Sequence, residues 1–155
     1  MLPGLPDAHG HVMGLGFQEL NVNVGGIKTL EATLDTIKAY AEANPDLEWI
    51  RGRGWNQTLW PENEFPTAAD LDKAVPDRPV WLSRIDGHAG WGNTQAMEMA
   101  NISKETRDPD GGNIIRDRAG NATGVVVDAA EPYINQIVPE HTNPDKDMAL
   151  KQPLT

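Results

Sequence analysis

Apolar residues recur every three to four positions between residues 30 and 43, which is the period of one face of an α-helix. They are Leu30, Leu34, Ile37 and Ala41. Thr29 is a favourable N-cap residue, and Asn44-Pro45 interrupts the pattern. The pattern therefore predicts a helix over residues 30–43.

Further apolar patterns alternate along the chain between helical and extended periods. Strands are predicted over residues 48–55 and 79–85, and a hairpin pairs 113–116 with 124–127. Helices are predicted over 67–75, 94–100 and 130–138, and another begins near Asn143-Pro144. Thr67 and Asp70 have the spacing of a capping box. This alternation favours the α/β class, with a mixed sheet and flanking helices.

Composition and charge exclude several classes of function. The formal net charge is -10, which disfavours binding to nucleic acid or to an anionic membrane surface. There is no cysteine, so a metal site would use only nitrogen and oxygen ligands. No apolar run approaches the roughly 20 residues of a membrane-spanning helix, and the N-terminus does not have the pattern of a signal peptide. These features assign no cellular compartment.

The segment Asp7-Ala8-His9-Gly10-His11 has the spacing of a metal chelate. In a strand, His9 and His11 would point to the same side, and two imidazoles at a strand end can bind one divalent ion such as Zn²⁺. Asp7 has the same parity and could orient a histidine. The alternative is a polar turn, and a catalytic metal site needs about three protein ligands, so further ligands must come from elsewhere.

A second group of polar residues follows the predicted strand 79–85. Arg84, Asp86 and His88 alternate at the start of a glycine-rich loop that continues to Trp91. His88 could be a ligand, a general base or a substrate contact, because functional groups are common in loops that follow strands. The alternative is a structural histidine held by Asp86.

Three other residues have both a functional and a structural interpretation. Trp55 ends the predicted strand that carries Arg51 and Arg53, and Trp60 follows it. The two tryptophans could form either a pocket wall or part of the core. Asp128 ends the apolar run 124–127 and could bind a metal. Alternatively, Asp128 and Glu131 form a capping box at the start of the next helix.

The order of these motifs resembles the amidohydrolase superfamily. Residues 2–4 and 7–11 are similar to its first barrel strand, although Leu5-Pro6 departs from the usual aromatic and β-branched pair. Later segments resemble the amidohydrolase family 3 branch, which includes YtcJ-like hydrolases and N-substituted formamide deformylases. These segments are residues 53–57, 65–67, Asp72, 79–80, 86–88, 108–112 and 123–125.

The resemblance implies a metal-dependent TIM-like barrel. It implies that residues 1–25 hold the first barrel strand, that 26–127 form an inserted α/β subdomain, and that 128–155 return to the barrel. His9 and His11 would bind a divalent metal, most simply Zn²⁺, with Asp128 as a further ligand. Asp86 and His88 would be the catalytic groups that face the substrate. Arg84, Trp55 and Trp91 would line the substrate pocket.

The same resemblance implies an incomplete site, because the family's later metal-binding histidines and its general base have no counterpart in this chain. We therefore expect part of a hydrolase that acts on C–N bonds in small amide-type substrates and that has no activity alone. The alternative is a non-enzymatic α/β module that covers substrate or self-associates. Self-association is expected in either case, because apolar surface left uncovered tends to pair.

Overall fold

The computed structural model of the chain describes residues 21–139, which form a six-stranded sheet with four short to medium helices. The strands are β1 (Val22–Asn23), β2 (Ile50–Trp55), β3 (Val80–Arg84), β4 (Ala89–Gly92), β5 (Gly112–Arg116) and β6 (Ala122–Asp128). The helices are α1 (Leu30–Ala43), α2 (Ala68–Ala74), α3 (Thr94–Met99) and α4 (Pro132–Asn135), and a 3₁₀ turn covers Gln57–Leu59.

The sheet is mixed, with strand order β1-β2-β3-β4-β6-β5. The first three strands are parallel, and every pair from β3 onward is antiparallel. This confirms the predicted α/β class with a mixed sheet and flanking helices. The predicted first barrel strand and the predicted helix near Asn143-Pro144 lie outside the described residues, and the boundaries of the inserted subdomain stay predictions.

Helix α1 forms where the apolar stripe predicts it. The Thr29 side chain accepts a hydrogen bond from the backbone N–H of Ala32, and Ile37 and Ala41 are buried on the face that packs on the sheet. Arg78 lies at the other end of the helix. Its guanidinium donates to the carbonyls of Asn44, Leu47 and Ala41 at 2.9–3.1 Å. It thereby satisfies carbonyl groups that a helix leaves unpaired at its C-terminus.

Helix α2 begins with the predicted capping box. The Thr67 hydroxyl accepts from the Asp70 backbone N–H, and the Asp70 carboxylate accepts from the Thr67 N–H. The last helix is shorter than predicted, because α4 covers only Pro132–Asn135 of the expected 130–138. None of the helices in the range 21–139 is long and apolar enough to span a membrane.

Buried side chains fall into two clusters. The larger one contains Trp55, Trp60 and Trp91, whose rings meet edge to face, with centroids 5.9 Å apart for Trp55 and Trp91 and 6.3 Å apart for Trp60 and Trp91. The smaller one contains Trp81, whose ring covers Gly90 so closely that a Cβ there would lie 2.0 Å from it. The tryptophans therefore supply much of the core volume on which the sheet rests.

Asn93 is a fully buried polar residue that joins several elements. Its Oδ1 accepts from the backbone N–H groups of Val80 and Ala96, each at 3.0 Å. Its Nδ2 donates to the carbonyls of Val75 and Arg78 at 3.3 and 2.8 Å. One side chain thereby caps α3 and fixes the end of α2 against the start of β3.

Strand β5 forms one edge of the sheet. The Asp108 carboxylate accepts from the backbone N–H of Ile114 at 3.1 Å, and Arg116 donates to the Ile114 carbonyl at 2.9 Å. Asp108 and Arg116 also pair with each other at 2.6 Å. The outward-facing backbone groups at the middle of this edge strand are therefore satisfied by side chains.

Candidate functional site

Three strand ends meet at one end of the sheet and bring the predicted polar residues together. A turn over residues 85–88 connects β3 to β4, with Gly87 at φ +75°, a conformation that glycine adopts without strain. Strand β6 runs antiparallel to β4 and pairs Ala89 with Val127. The backbone N–H of Asp128 then donates to the His88 carbonyl at 3.0 Å. The topology thus places Asp128 beside His88, although they are 40 residues apart.

Arg84 is held on three sides at this end of the sheet. Its Nε donates to Gln57 Oε1 at 2.9 Å, and its Nη1 forms an ion pair with the Asp86 carboxylate. Its guanidinium carbon lies 5.9 Å from the centre of the Trp55 ring. The Arg84 side chain is only 16% exposed, so these contacts fix the position of its charge.

Asp86 connects Arg84 to His88. One carboxylate oxygen pairs with Arg84, and the other accepts from the backbone N–H of His88 at 3.1 Å. Burial raises the pKa of Asp86, but the hydrogen bond from the His88 N–H and the charge of Arg84 outweigh it, so the pKa lies below its ordinary value. Asp86 is therefore a stable anion that ties the turn to the end of β3.

The His88 ring is 74% exposed and lies against Asp128, with Nδ1 3.0 Å from Oδ1. The capping-box alternative for Asp128 and Glu131 is wrong, because the Asp128 carboxylate turns to His88 and Glu131 begins α4 without any side-chain cap. Burial is the main cause that raises the pKa of Glu131, and the negative charge of Asp128 adds to it. Glu131 therefore lies close enough to this pair to sense its charge.

Trp55 and Trp91 lie beneath this surface rather than on it. Both rings are fully buried, and their indole N–H groups donate to the carbonyls of Leu82 and Thr67 at 2.9 and 2.8 Å. Trp55 and Trp60 are therefore part of the core, as the structural interpretation of the sequence predicts. Trp55 forms the floor under Arg84, and direct contact of Trp55 or Trp91 with a substrate stays a prediction.

Two links in the network are not evident from the sequence. Gln57 accepts a hydrogen bond from Arg84, and Asp128 contacts the ring of His88. The signals in the sequence are the amide pair Asn56-Gln57 after β2 and the carboxylate of Asp128 at the end of β6, and neither signal identifies a partner.

The family model of the amidohydrolase family matches residues 1–155. The chain belongs to this amidohydrolase family. YtcJ of Bacillus subtilis (strain 168), named as an amidohydrolase, is 37% identical over 150 residues, which is 97% of this chain and 28% of YtcJ. The N-substituted formamide deformylase of Arthrobacter pascens is 31% identical over 132 residues, or 84% of this chain and 24% of that enzyme.

The fold of this amidohydrolase-family chain is similar to that of a solved structure. An uncharacterized metal-dependent hydrolase from Pyrococcus furiosus superposes with a TM-score of 0.62 and 26% identity. The match covers 90% of this chain and 26% of that hydrolase. The chain spans about a quarter of the length of the curated relatives it matches. These matches confirm the predicted family.

The metal-binding prediction for the amidohydrolase-family chain depends mainly on residues that the structure does not describe. His9, His11 and Asp7 lie outside the range 21–139. Within that range, no group of three or more histidine, aspartate or glutamate side chains is arranged to hold a metal ion. The described residues therefore do not form a metal site by themselves, and the imidazoles of His9 and His11 are the donors suited to a divalent metal.

Proposed function

We propose that the chain is part of a metal-dependent hydrolase that cleaves C–N bonds in small amide-type substrates, and that it is inactive alone. The supporting observation is the network of Arg84, Asp86, His88 and Asp128 at shared strand ends in a member of the amidohydrolase family. Loops at strand ends are where α/β enzymes commonly place their functional groups. Membership of the family supports hydrolysis, and the formamide deformylase among its relatives favours a C–N bond.

In this proposal, His9 and His11 hold a divalent metal, with zinc as the first candidate. The assignment of Asp128 as a further ligand stays a prediction, because its carboxylate contacts His88 in the structure. Such an ion lowers the pKa of a bound water molecule and polarises the substrate carbonyl. The metal-dependent hydrolase from Pyrococcus furiosus supports a divalent ion without indicating which one. Because only about a quarter of the relatives' length is present, the chain alone is expected to lack the remaining ligands.

The described residues would act on the substrate rather than on the metal. The exposed ring of His88 offers a polar contact, and Asp86 holds the turn that carries it. Arg84 supplies a fixed positive charge suited to a polar oxygen, above the apolar floor formed by Trp55. Together they would bind and orient an amide-type group beside the metal.

The direct test of inactivity uses the purified chain, Zn²⁺ and a panel of formamides and acetamides, with His9→Ala as the control. We expect no hydrolysis above that of the control. Metal-dependent hydrolysis that disappears in His9→Ala would overturn the claim that the chain is incomplete.

A chimera tests the hydrolase assignment itself. The chain replaces the matching segment of the Arthrobacter pascens deformylase, and hydrolysis of N-substituted formamides is measured. We expect activity in the chimera and at least a tenfold loss in kcat/KM for His88→Ala, because a positioned polar group at a reaction site typically contributes that much. Full activity of the His88→Ala chimera would remove His88 from the proposed site.

A second candidate is a non-enzymatic module that covers a substrate or self-associates. It is favoured by one observation, namely that residues 21–139 build a continuous sheet with two buried clusters of their own. Metal analysis after gentle purification separates the two candidates. Stoichiometric metal that is lost in His9→Ala favours the hydrolase, whereas metal-free protein favours the module.

A further inference from the structure

The contact between His88 and Asp128 decides where the neutral histidine carries its proton. The ring nitrogen that faces the Asp128 carboxylate is Nδ1, at 3.0 Å. An ionised carboxylate only accepts hydrogen bonds, so this contact requires a proton on Nδ1. In the neutral ring the other nitrogen, Nε2, then carries a lone pair and no proton.

We propose that Asp128 is a positioning residue that holds His88 in the Nδ1–H tautomer, so that Nε2 accepts a hydrogen bond from an N–H group of the ligand. The identity of that ligand as an amide or its amine product depends on the proposed function. The tautomer of His88 does not depend on the proposed function, because it follows from the contact between His88 and Asp128. The ring is 74% exposed, so Nε2 can be reached from solvent.

The backbone at Asp128 supports this role. Its φ is +49°, a left-handed conformation that costs most residues about 1 kcal/mol or more and that aspartate tolerates better than most. Gly112 pairs with Asp128, and a Cβ on Gly112 would lie 2.3 Å from the backbone nitrogen of Ala130. The chain therefore reverses tightly here. Glycine would be the least strained residue for position 128, yet the position holds a carboxylate that reaches His88.

Other charged groups lie near the contact between His88 and Asp128. Asp86 accepts from the His88 backbone N–H and is itself paired with Arg84, and Glu131 lies close enough to Asp128 and His88 for their charges to affect its pKa. The Asp86 contact fixes the backbone of the turn, and the Asp128 contact fixes the ring. The two carboxylates thus have different roles, which separate variants can distinguish.

The experiment is a long-range ¹H–¹⁵N correlation spectrum of the ¹⁵N-labelled chain at about pH 8, where an ordinary histidine is neutral. The spectrum reports which ring nitrogen carries the proton. The chain has 4 histidines, and the signals of His88 are assigned by their loss in His88→Gln. We expect His88 to be predominantly protonated on Nδ1, and predominant protonation on Nε2 in the wild type would overturn the proposal.

Two variants complete the test. In Asp128→Gly the ratio of Nδ1–H to Nε2–H should fall by about tenfold, the factor expected for losing one hydrogen bond to a charged group. The urea midpoint of this variant should be unchanged or higher, because glycine relieves the positive φ. Asp86→Asn is the matched control, since its oxygen can still accept from the His88 N–H, and it should keep the wild-type tautomer.

The outcomes are separable from those of the proposed function. An unchanged tautomer in Asp128→Gly, or the same shift in Asp86→Asn, would refute the positioning role of Asp128. An inactive chimera with the expected tautomer would refute the hydrolase assignment and leave the positioning role intact.

Discussion

Replacing Asn93 with alanine should lower the free energy of unfolding by about 4 kcal/mol. The side chain is fully buried and makes four hydrogen bonds, to the N–H groups of Val80 and Ala96 and the carbonyls of Val75 and Arg78. Each buried partner left unpaired costs about 1–3 kcal/mol. Taking the low end for all four partners gives about 4 kcal/mol, which includes the loss of the α3 N-cap.

Asn93→Asp separates the accepting half of this network from the donating half. The aspartate keeps an oxygen for the two N–H groups but places its second oxygen against the carbonyls of Val75 and Arg78. We therefore expect a loss of at least about 2 kcal/mol, because two buried acceptors lose their donor. Asn113→Ala is the control, since Asn113 is exposed on β5 and such changes stay within about 0.5 kcal/mol.

Urea unfolding followed by tryptophan fluorescence measures these losses, and the chain has 5 tryptophans as probes. With an m-value of about 2 kcal/mol per molar urea, Asn93→Ala should move the midpoint down by about 2 M. A loss below about 1 kcal/mol in both Asn93 variants would refute the reasoning. It would mean that Asn93 does not join α2, β3 and α3.

Two further predictions concern packing and acid stability. Gly90→Ala should cost about 1–3 kcal/mol, because its Cβ would lie 2.0 Å from the Trp81 ring, and Gly90→Ala with Trp81→Leu should lose less than the sum of the single changes. Additive losses in that urea-unfolding cycle would contradict the proposed clash. The Arg116 hydrogen bond lowers the pKa of Asp108, and the hydrogen bond from the Asn121 backbone lowers that of Asp117. The stabilisation that these two carboxylates give to the folded state is therefore complete above the aspartate pKa of the unfolded chain, about 3.9. It should be lost as the pH falls through their lower pKa values in the folded state. Urea midpoints measured from about pH 5 down to 2 should decline less steeply for Asp117→Asn than for the wild type, and parallel curves would contradict this account.

Local signals predicted the helices best. Helix α1 follows from a stripe of apolar residues, an N-cap at Thr29 and a stop at Asn44-Pro45, all within one short segment. The capping box of Thr67 and Asp70 is local in the same way. These elements could be predicted because the groups that satisfy their backbones lie within four residues along the chain.

The contacts that join elements could not be predicted in this way. Arg78 reaches the end of α1 across more than 30 residues of sequence, and Asn93 reaches Val80 across 13. Neither partner has a spacing that a pattern in the sequence would reveal. The sequence pattern predicts a longer α4 than the structure has, because apolar residues up to Val138 continue the helical period after the helix has ended.

In the candidate site, too, local groupings could be predicted from the sequence and contacts between distant elements could not. The grouping of Arg84, Asp86 and His88 could be predicted, because the three residues alternate within one turn. The sequence also predicts a functional or capping role for Asp128, but the partner of Asp128 depends on β6 pairing with β4 as well as with its hairpin neighbour β5. The positive φ that directs its carboxylate to His88 is a tertiary property of the tight reversal beside Gly112.

The covered edge of β5 limits how copies of this chain can assemble. A strand from another molecule would need the N–H and C=O of Ile114, but Asp108 and Arg116 already occupy both groups. Charged side chains that occupy an edge in this way oppose strand addition and the growth of cross-β aggregates. Self-association of the kind expected from the sequence would therefore have to use a surface other than the middle of β5. The ion pair between Asp108 and Arg116 therefore opposes the addition of strands at the edge of β5. Acid that protonates Asp108 would weaken this opposition.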